Sequence, residues 1–558
     1  MDAQKSLLVR KLSATIQYMR RYRPLPAVVF AILVSALVGG LFGRSALATD
    51  DKVPEHYRAF TAALNAIETS YIDKVEPDRL VYGSVRGMLG TLDPHSSFFD
   101  PREYAQMRER QEGRYYGIGV SIQAIDGDIT AMLVFEGSPA YKKGIRRGDV
   151  LARVGGEDAK GWTVEQAMHK LRGPKGTNVA VGVKRRGYEQ LIPIDLTRDE
   201  VYIPTVPAYF MLDATTGYIR MQDFGENTDR DVKHALHDLA SKGMRRLLFD
   251  IRSNPGGPLD QAIKVANEFL PRGKMIVSTH GRIANSDQEY RATEDGEFTG
   301  IPIVALANRN SASASEIVAG ALQDHDRAYI VGETTFGKAL VQSVYRISGG
   351  AGLALTTAHY YTPAGRIIQR PWDASFDEYL SYSLRDQDAN KPHNPSDLKQ
   401  TNAGRPVYSG GGIEPDKRIA GPIEGFNPGR FGRMLFARAT FANYAQKYAA
   451  EGDTRVSQQS NGRKTVKANF VVDEAMVADY REQLKADRVK IDEDAFTKDF
   501  DFIKAMIRFE IDNAVFGIAE ARRHLIGVDP QAQGAIAVFP EAQKLMELSR
   551  GTKVKADH

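Results

Sequence analysis

Residues 301–326 read IPIVALANRNSASASEIVAGALQDHD. An apolar run gives way to a polar, serine-rich turn, and the turn opens an amphipathic helix pattern near Ser313. A strand feeding straight into a helix is one half of a βαβ unit. Working outward, the same alternation continues on both sides. TGYIRMQDF (216–224) reads as a strand, VKHALHDLASKG (232–243) as a helix closed by Gly243, and RRLLFDIR (245–252) as a second strand. Gly256 and Gly257 then open the helix PLDQAIKVANEFLP (258–271). Downstream, AYIVGE (328–333) is a strand, and LALTTAHYYTP (353–363) is the last run of the region. Strands alternating with helices predict a multidomain α/β protein with a largely parallel sheet, covered on both faces, over residues 201–420.

The flanks have a different texture. Residues 49–112 are helical: in YRAFTAALNAIETSYI (57–72) apolar positions recur every three or four residues, as one buried face requires. Asp93-Pro94-His95-Ser96-Ser97 reads as a turn into a further short helix. Residues 113–200 switch to short β-rich segments with glycine turns: YYGIGVSIQAIDGDITAMLVF, GSPAYKKGIRRGDVLARVGG, EQAMHKLRG and NVAVGVKRRG. Residues 421–558 are charged and helical, with a polar connection at Gln458–Lys467.

At 558 residues the chain is too long for one core. Apolar residues make up 42% and charged residues 26%, which excludes wholesale disorder. The net charge of +4 is weak, and no basic arm or basic–aromatic stripe points to nucleic acid. With no cysteine, disulfides, thiolate metal sites and a cysteine nucleophile are all excluded. Residues 1–23 form a basic segment ahead of an apolar stretch within 24–48, PLPAVVFAILVSALVGGLFG followed by Arg44. A run of that length can just cross a bilayer, and the basic flank keeps its N-terminal side cytoplasmic. Ser45-Ala46-Leu47-Ala48 also fits a signal-peptidase site, so a membrane anchor and a cleaved signal both stand. Either places the rest of the chain in the periplasm or at the inner membrane.

Ser313 lies where a strand turns into a helix. That turn presents a side chain at the sheet's carboxyl edge, beside the helix's free N–H groups. A serine there is placed as a nucleophile, and the next N–H, that of Ala314, faces the oxyanion it would create. Serines before a helix are also ordinary caps, and Ser311 and Ser315 read as caps or supports. A second segment, GETTFGKALVQ (332–342), puts Lys338 after a glycine turn among apolar neighbours. Desolvation there favours the neutral amine, a base for the serine. If the stretch turns helically, Gln342 lands on the same face and orients the amine. A solvated surface lysine is the bland alternative. His325 lies at the far end of the helix that Ser313 starts, too distant for proton transfer. His95 and His359 read as structural turn and strand residues. No HExxH and no phosphate loop is present.

Two resemblances gather these residues. Tyr116-Gly117-Ile118-Gly119-Val120, then Gly137-Ser138-Pro139-Ala140, Gly144-Ile145 and Gly148-Asp149-Val150-Leu151, resemble a PDZ domain. There the N–H groups of Gly117, Ile118, Gly119 and Val120 would hold a chain-terminal carboxylate, and the adjacent strand edge would pair with the peptide. SASASEI-x-AGALQD together with G-x-x-TFGK-x-x-VQ resembles the C-terminal processing peptidases, the tail-specific proteases of family S41 with a Ser/Lys dyad. Further matching segments are RSNPGG (252–257) and YYTPAGR (360–366). The resemblance implies a core of ClpP/crotonase-like fold and an endopeptidase acting near substrate C-termini. It puts the nucleophile at Ser313, the base at Lys338 and a supporting amide at Gln342. It also implies oxyanion N–H groups from Ala314 and from the Gly256–Gly257 turn, and no metal or cofactor. Where the family has glycine after the lysine, Ala339 stands here; a need for φ > 0 would strain it. The partners implied are protein or peptide substrates held by their C-terminus, the inner membrane through the N-terminal segment, and a homo-oligomer or adaptor. A bound chain end would move the PDZ domain and help align Lys338, with Arg172 a candidate contact or else a solvated loop arginine. The alternative function is a non-catalytic PDZ peptide-binding scaffold. An acyl-CoA enzyme of crotonase type rests on fold analogy alone.

Overall fold

The computed structural model describes residues 53–185, 188–372, 379, 381–382, 393–450 and 464–556. The basic and apolar segments at 1–23 and 24–48 lie outside the described residues. Among the described residues no helix is long and apolar enough to cross a membrane. The chain divides into two units, Met1–Met88 and Leu89–His558. The first holds helix α1 (Val53–Ser70) and most of α2 (Pro77–Leu89). The face of α1 that its periodicity marks for burial stays exposed, with Tyr57 at 69%. The helical stretch read as one region, 49–112, therefore splits: its last part belongs to the second unit.

Early in the second unit come strand β1 (Ser97–Phe99), between the turn expected at 93–97 and the helix expected after it, and helix α3 (Pro101–Glu112). Asp100 caps α3 with a reciprocal Glu103 bond, and Gly113, at φ +67°, ends it. Strand β2 (Arg114–Gly117) follows. The small β-rich domain comprises β3 (Val120–Ile125), β4 (Asp128–Val134), the short α4 (Pro139–Lys142), β5 (Val150–Val154), β6 (Glu157–Asp158), α5 (Val164–Leu171), β7 (Asn178–Lys184) and β8 (Ile192–Thr197). Its sheet runs β3-β4-β5-β7-β8, which leaves β3 with a free edge. Strand β9 (Asp199–Tyr202) pairs antiparallel with β2 and closes the entry to the domain against its exit. Asp149 is buried here; it accepts from Arg185 Nε at 2.6 Å and from the Arg146 N–H at 2.8 Å. The Gly-Asp signature thus folds around a buried, fully paired charge.

The central region contains two sheets, a correction to the single sheet expected. Strands β10 (Ala208–Met211), β11 (Thr216–Arg220), β12 (Arg246–Asp250), β15 (Ile303–Ala307), β16 (Ala328–Gly332) and β21 (Lys417–Arg418) form one, parallel except for β10. Strands β13 (Met275–His280), β14 (Gln288–Arg291), β17 (Leu340–Arg346) and β18 (Gly352–Tyr361) join β1 in an antiparallel sheet. These strands mix exposed polar positions into their pattern, so they do not read as buried parallel strands. A hairpin of β19 (Leu398–Gln400) and β20 (Pro406–Tyr408) precedes β21. One face of the parallel sheet, with Leu247, Phe249 and Ala305, packs on helices α6 (Thr228–Ser241), α7 (Leu259–Asn267) and α8 (Ala314–Asp324).

The other face is covered by the C-terminal extension. Its helices α9 (Arg430–Ala437), α10 (Thr440–Ala445), α11 (Glu474–Ala486), α12 (Glu493–Lys498), α13 (Phe500–Val515) and α14 (Ile518–Ile526) share a core built on Phe441, Tyr480, Phe502 and Ile507. Two short strands, β22 (Tyr448–Ala450) and β23 (Lys464–Val466), pair beside them, so part of the segment read as a loose connection is a strand. Helices α15 (Pro530–Ile536) and α16 (Phe539–Ala556) then lay Ala532, Ala535, Phe539 and Ala542 on Tyr218, Leu248, Val304, Leu306 and Val331. Three large buried side chains here, Ile526, Val538 and Phe539, contribute about 1.5–3 kcal/mol each. That sum is on the scale of a domain's whole net stability of about 5–15 kcal/mol. The extension is thus a layer of the core. It also grips the small domain: Arg147 pairs with the buried Glu510 at 3.0 Å, and Arg146 Nη1 donates to Tyr448 O at 3.2 Å.

Candidate active site

The serine turn sits at the carboxyl edge of the parallel sheet, as the sequence predicts. Ser313 has φ 56° and ψ −117°, a conformation that costs a non-glycine residue about 1–3 kcal/mol and persists only where the surroundings impose it. The surroundings do so. Ser311 Oγ donates to Ile251 O at 2.9 Å and accepts the Asn308 N–H at 3.0 Å. The Ala312 N–H and Ser315 Oγ both reach Asn254 O, at 2.9 and 3.0 Å. Ser311 and Ser315 are therefore supports that tie the serine turn to the turn 252–257.

In that neighbouring turn Ser253 has φ 53° and Gly256 φ 90°. A Cβ on Gly256 would lie 2.7 Å from Ala312 O, from Ala314 N and from Ser313 Cβ, so only glycine fits against the serine. The Gly256 N–H, however, donates to Asn254 Oδ1 at 2.9 Å. Among the described residues the N–H groups of Gly257 and Ala314 have no hydrogen-bond acceptor. The expectation is corrected accordingly: Gly256 shapes the turn, and Gly257 and Ala314 are the two donors left for an oxyanion.

Lys338 follows Gly337, which takes the left-handed φ of 89°. Ala339 is fully buried and not left-handed, so the departure from the family's glycine carries no strain there. Lys338 Nζ donates to Gln342 Oε1 at 2.8 Å, and Gln342 Nε2 donates to His95 O at 2.6 Å. Gln342 reaches the lysine from strand β17, not from a helix: Lys338 lies in the turn just before the strand, and the pairing register with β18 shifts between Val341 and Gln342. Burial lowers the Lys338 pKa, against the pull of Glu316 and Asp93. No hydrogen bond joins Lys338 Nζ to Ser313 Oγ among the described residues; the amine is engaged by Gln342.

The residue that joins the two turns went unnoticed in the sequence. Glu316, fully buried one turn into α8, accepts the Ser313 N–H at 2.8 Å and the Lys338 N–H at 2.9 Å on Oε2. On Oε1 it accepts the Gly337 N–H at 2.7 Å and the Thr335 hydroxyl at 2.5 Å. Burial pushes its pKa up to about 7, against those four bonds. The Tyr360 hydroxyl closes the same link, 3.1 Å from Ser313 O and 2.5 Å from Lys338 O. The signal available was the Ser313-x-x-Glu316 spacing of a capping box.

The histidines hold the frame. His325 Nε2 lies 2.6 Å from Met275 O, and Nδ1 2.9 Å from Asn402 Nδ2. His359 is a strand residue of β18. His95 supplies its carbonyl to Gln342 and its ring to the Tyr379 hydroxyl, and burial holds its pKa down at about 4, helped by Lys338. Among the described residues no group of three or more His, Asp or Glu gathers as a metal site would need.

In the small domain, the Gly117–Val120 loop joins β2 to β3. Gly119 has φ 87°, and a Cβ on it would lie 2.1 Å from that of Ser138. Ile118 is buried, with its carbonyl bonded to the Ala140 N–H at 2.8 Å. The Tyr115 hydroxyl faces the N–H groups of Val120 and Gly119; burial pushes its pKa up to about 12, against the nearby Arg172 and those two N–H groups. Arg172 is not a solvated loop residue. It pairs with Glu109 of α3 and lies 4.7 Å over the Tyr115 ring.

Residues 215–372 match the family model of peptidase family S41, and residues 106–184 that of the PDZ domain. The chain is similar to the carboxy-terminal-processing protease of Bartonella bacilliformis: 37% identical over 307 residues, covering 54% of this chain and 70% of that one. It is 33% identical to the carboxy-terminal processing protease CtpA of Bacillus subtilis over 347 residues, covering 62% and 73%. Among solved structures, the photosystem II D1 C-terminal processing protease is 28% identical, with 65% of this chain and 92% of that one covered at a TM-score of 0.35.

Proposed function

This chain belongs to peptidase family S41 and is a serine-type peptidase carrying a PDZ domain; from that premise we propose that it cleaves protein substrates at or near their C-terminus through Ser313, with Lys338 as general base. The observation that carries this reading is Glu316, which accepts the backbone N–H of both residues and so fixes the serine turn and the lysine turn to one another. The neutral Lys338 amine takes the Ser313 proton as Oγ attacks the scissile carbonyl carbon. The resulting oxyanion receives the N–H groups of Ala314 and Gly257. Collapse breaks the C–N bond, and Lys338 returns the proton to the leaving amine. A water that Lys338 deprotonates then attacks the acyl carbon, and collapse breaks the bond to Ser313 Oγ, which takes the proton back from Lys338. No metal or cofactor takes part in this sequence of steps.

Among the described residues Lys338 Nζ has no hydrogen bond to Ser313 Oγ, so the first step needs the two brought into reach, with Gln342 orienting the amine. We assign that change to the PDZ domain, whose free β3 edge and Gly117–Val120 loop suit a peptide C-terminus. The place of action we propose is the bacterial cell envelope, supported by the basic and apolar segments at 1–48 acting as anchor or signal. An adaptor or a second copy of the chain belongs to the same reading. Ser313→Ala and Lys338→Ala in the purified protein test the chemistry. Each should abolish cleavage of a peptide with a free C-terminus while circular dichroism stays unchanged. Substantial turnover by either folded variant refutes the dyad.

A further inference from the structure

The end of the C-terminal extension reaches the back of the oxyanion turn. Asp250 closes β12, and its carboxylate accepts from Arg220 Nη1 at 2.7 Å, from the Tyr218 hydroxyl at 2.9 Å and from Arg252 Nε and Nη2 at 3.0 and 2.7 Å. The remaining terminal nitrogen of that guanidinium, Arg252 Nη1, donates to Asp529 Oδ2 at 2.7 Å and to Gln531 Oε1 at 3.1 Å. Asp529 is the N-cap of α15. Its Oδ1 accepts the N–H groups of Gln531 and Ala532 at 2.8 and 3.0 Å. Asp529 has no exposure and Arg252 only 3%. The two carboxylate oxygens therefore do separate work: Oδ1 caps the helix, and Oδ2 holds the arginine.

Directly after Arg252 the chain enters the left-handed Ser253 and runs on to Gly257. A strained turn keeps its shape only where its surroundings over-determine it. Its front is held by the serine turn: Asn308 accepts the Ser253 N–H at 2.7 Å and donates to Ser253 Oγ at 3.0 Å, while Asn254 O takes the bonds from Ala312 and Ser315. Its root is held by the Arg252 side chain, clamped between Asp250 of the sheet and Asp529 of the extension. A cap alone would not need the second oxygen, since asparagine caps a helix as well as aspartate does.

We propose that Asp529 is a positioning residue for the oxyanion turn, acting through Arg252, so that the helical extension is a working part of the hydrolytic site. This rests on the reading of Ser313 as nucleophile and of the Gly257 N–H as an oxyanion donor. Asp529→Asn in the full-length protein keeps the size of the side chain and its capping oxygen, and sets an amide NH2 against the guanidinium. The expected result is a kcat lowered about 10- to 100-fold, because a displacement near 1 Å at the reacting centre costs about that much. KM should stay within about threefold, the melting temperature should hold, and Asp529→Glu should recover part of the loss.

Wild-type kcat in folded Asp529→Asn overturns the proposal. So does a variant whose melting temperature and KM fail together with kcat and which Asp529→Glu does not rescue, for then the residue is a cap and nothing more. Should Asp529→Asn not fold, Gln531→Met removes the second acceptor and leaves the charge. A several-fold fall in kcat is then expected, and an unchanged kcat overturns the proposal. Ser313→Ala separates the two readings. Turnover that survives in folded Ser313→Ala removes the nucleophile assignment itself, whereas an inactive Ser313→Ala beside unaffected Asp529 variants removes only the role of Asp529.

Discussion

Replacing Glu316 by glutamine tests how the serine turn and the lysine turn, proposed to carry the chemistry, are held together. The carboxylate accepts two bonds on each oxygen: Ser313 and Lys338 N–H on one, Gly337 N–H and the Thr335 hydroxyl on the other. Glutamine fits the same space but offers a single acceptor oxygen. Whichever way it settles, an NH2 faces two donors whose acceptor has gone. Buried donors left unsatisfied cost about 1–3 kcal/mol each, so the pair costs about 2–6 kcal/mol. If that cost falls on the alignment of Ser313 with Lys338, kcat drops at least about 30-fold, since about 1.4 kcal/mol of barrier is a factor of ten. Glu316→Asp keeps the charge but is one methylene short of bridging both turns, and should be nearly as damaged. A purely electrostatic role towards Lys338 would spare it. The acid limb of the rate profile gives an independent check. Burial pushes Glu316 up to about 7, and a protonated carboxyl among four donors cannot accept from all of them. Wild-type kcat should therefore fall as pH drops through about 7, and that limb should vanish in the glutamine variant. The assay is steady-state cleavage of a peptide with a free C-terminus, beside a thermal melt. A folded Glu316→Gln with kcat within about threefold of wild type refutes the reasoning.

Burial holds the Lys338 pKa below the ordinary lysine range, so beside the Glu316 limb kcat/KM should rise with pH through a further ionisation below about 10.4, one that persists in Glu316→Gln. A rise near 6.5 that disappears in His325→Ala would show a histidine base instead. For the PDZ loop, Ile118 and Gly119 are poor probes, because Ile118 is in the domain core and a Cβ at Gly119 overlaps Ser138. Tyr115→Phe removes the hydroxyl that faces the Val120 and Gly119 N–H groups, and should lower KM for free-acid peptides several-fold without changing amidated ones. An equal change for both peptides would show that the loop does not read chain ends.

Local pattern made much of this architecture legible. Ser313 follows an uninterrupted apolar strand and opens a helix, so its place at the sheet edge could be read from a few residues. The PDZ turns were legible because glycines such as Gly119 and Gly148 stand where left-handed backbone is needed. What stayed hidden depends on contacts between distant segments. Gln342 was expected on a helix because the spacing of four from Lys338 suits one, yet it stands on a strand that starts only after the lysine and shifts register just before Gln342. Its anchor, the His95 carbonyl, is a backbone atom that no side-chain pattern announces. The extension read as an appendage since its helices look amphipathic on their own. That Phe539 and Ala542 cover the protease sheet, and that Asp529 meets Arg252, follows only from the fold.

The clamp on Arg252 also imposes an order on the making of the active molecule. Ser313 and Lys338 lie in the middle of the chain, and a ribosome delivers them well before the helix that Asp529 caps. Until that helix docks, one face of the sheet is bare and the root of the oxyanion turn is held from one side only. A chain made only that far holds Ser313 and Lys338, the proposed nucleophile and base, without the finished cradle between them. On the proposed role of Asp529, docking of that helix acts as a safety catch on timing, because the site is completed only after the segment around Asp529 has been made and folded.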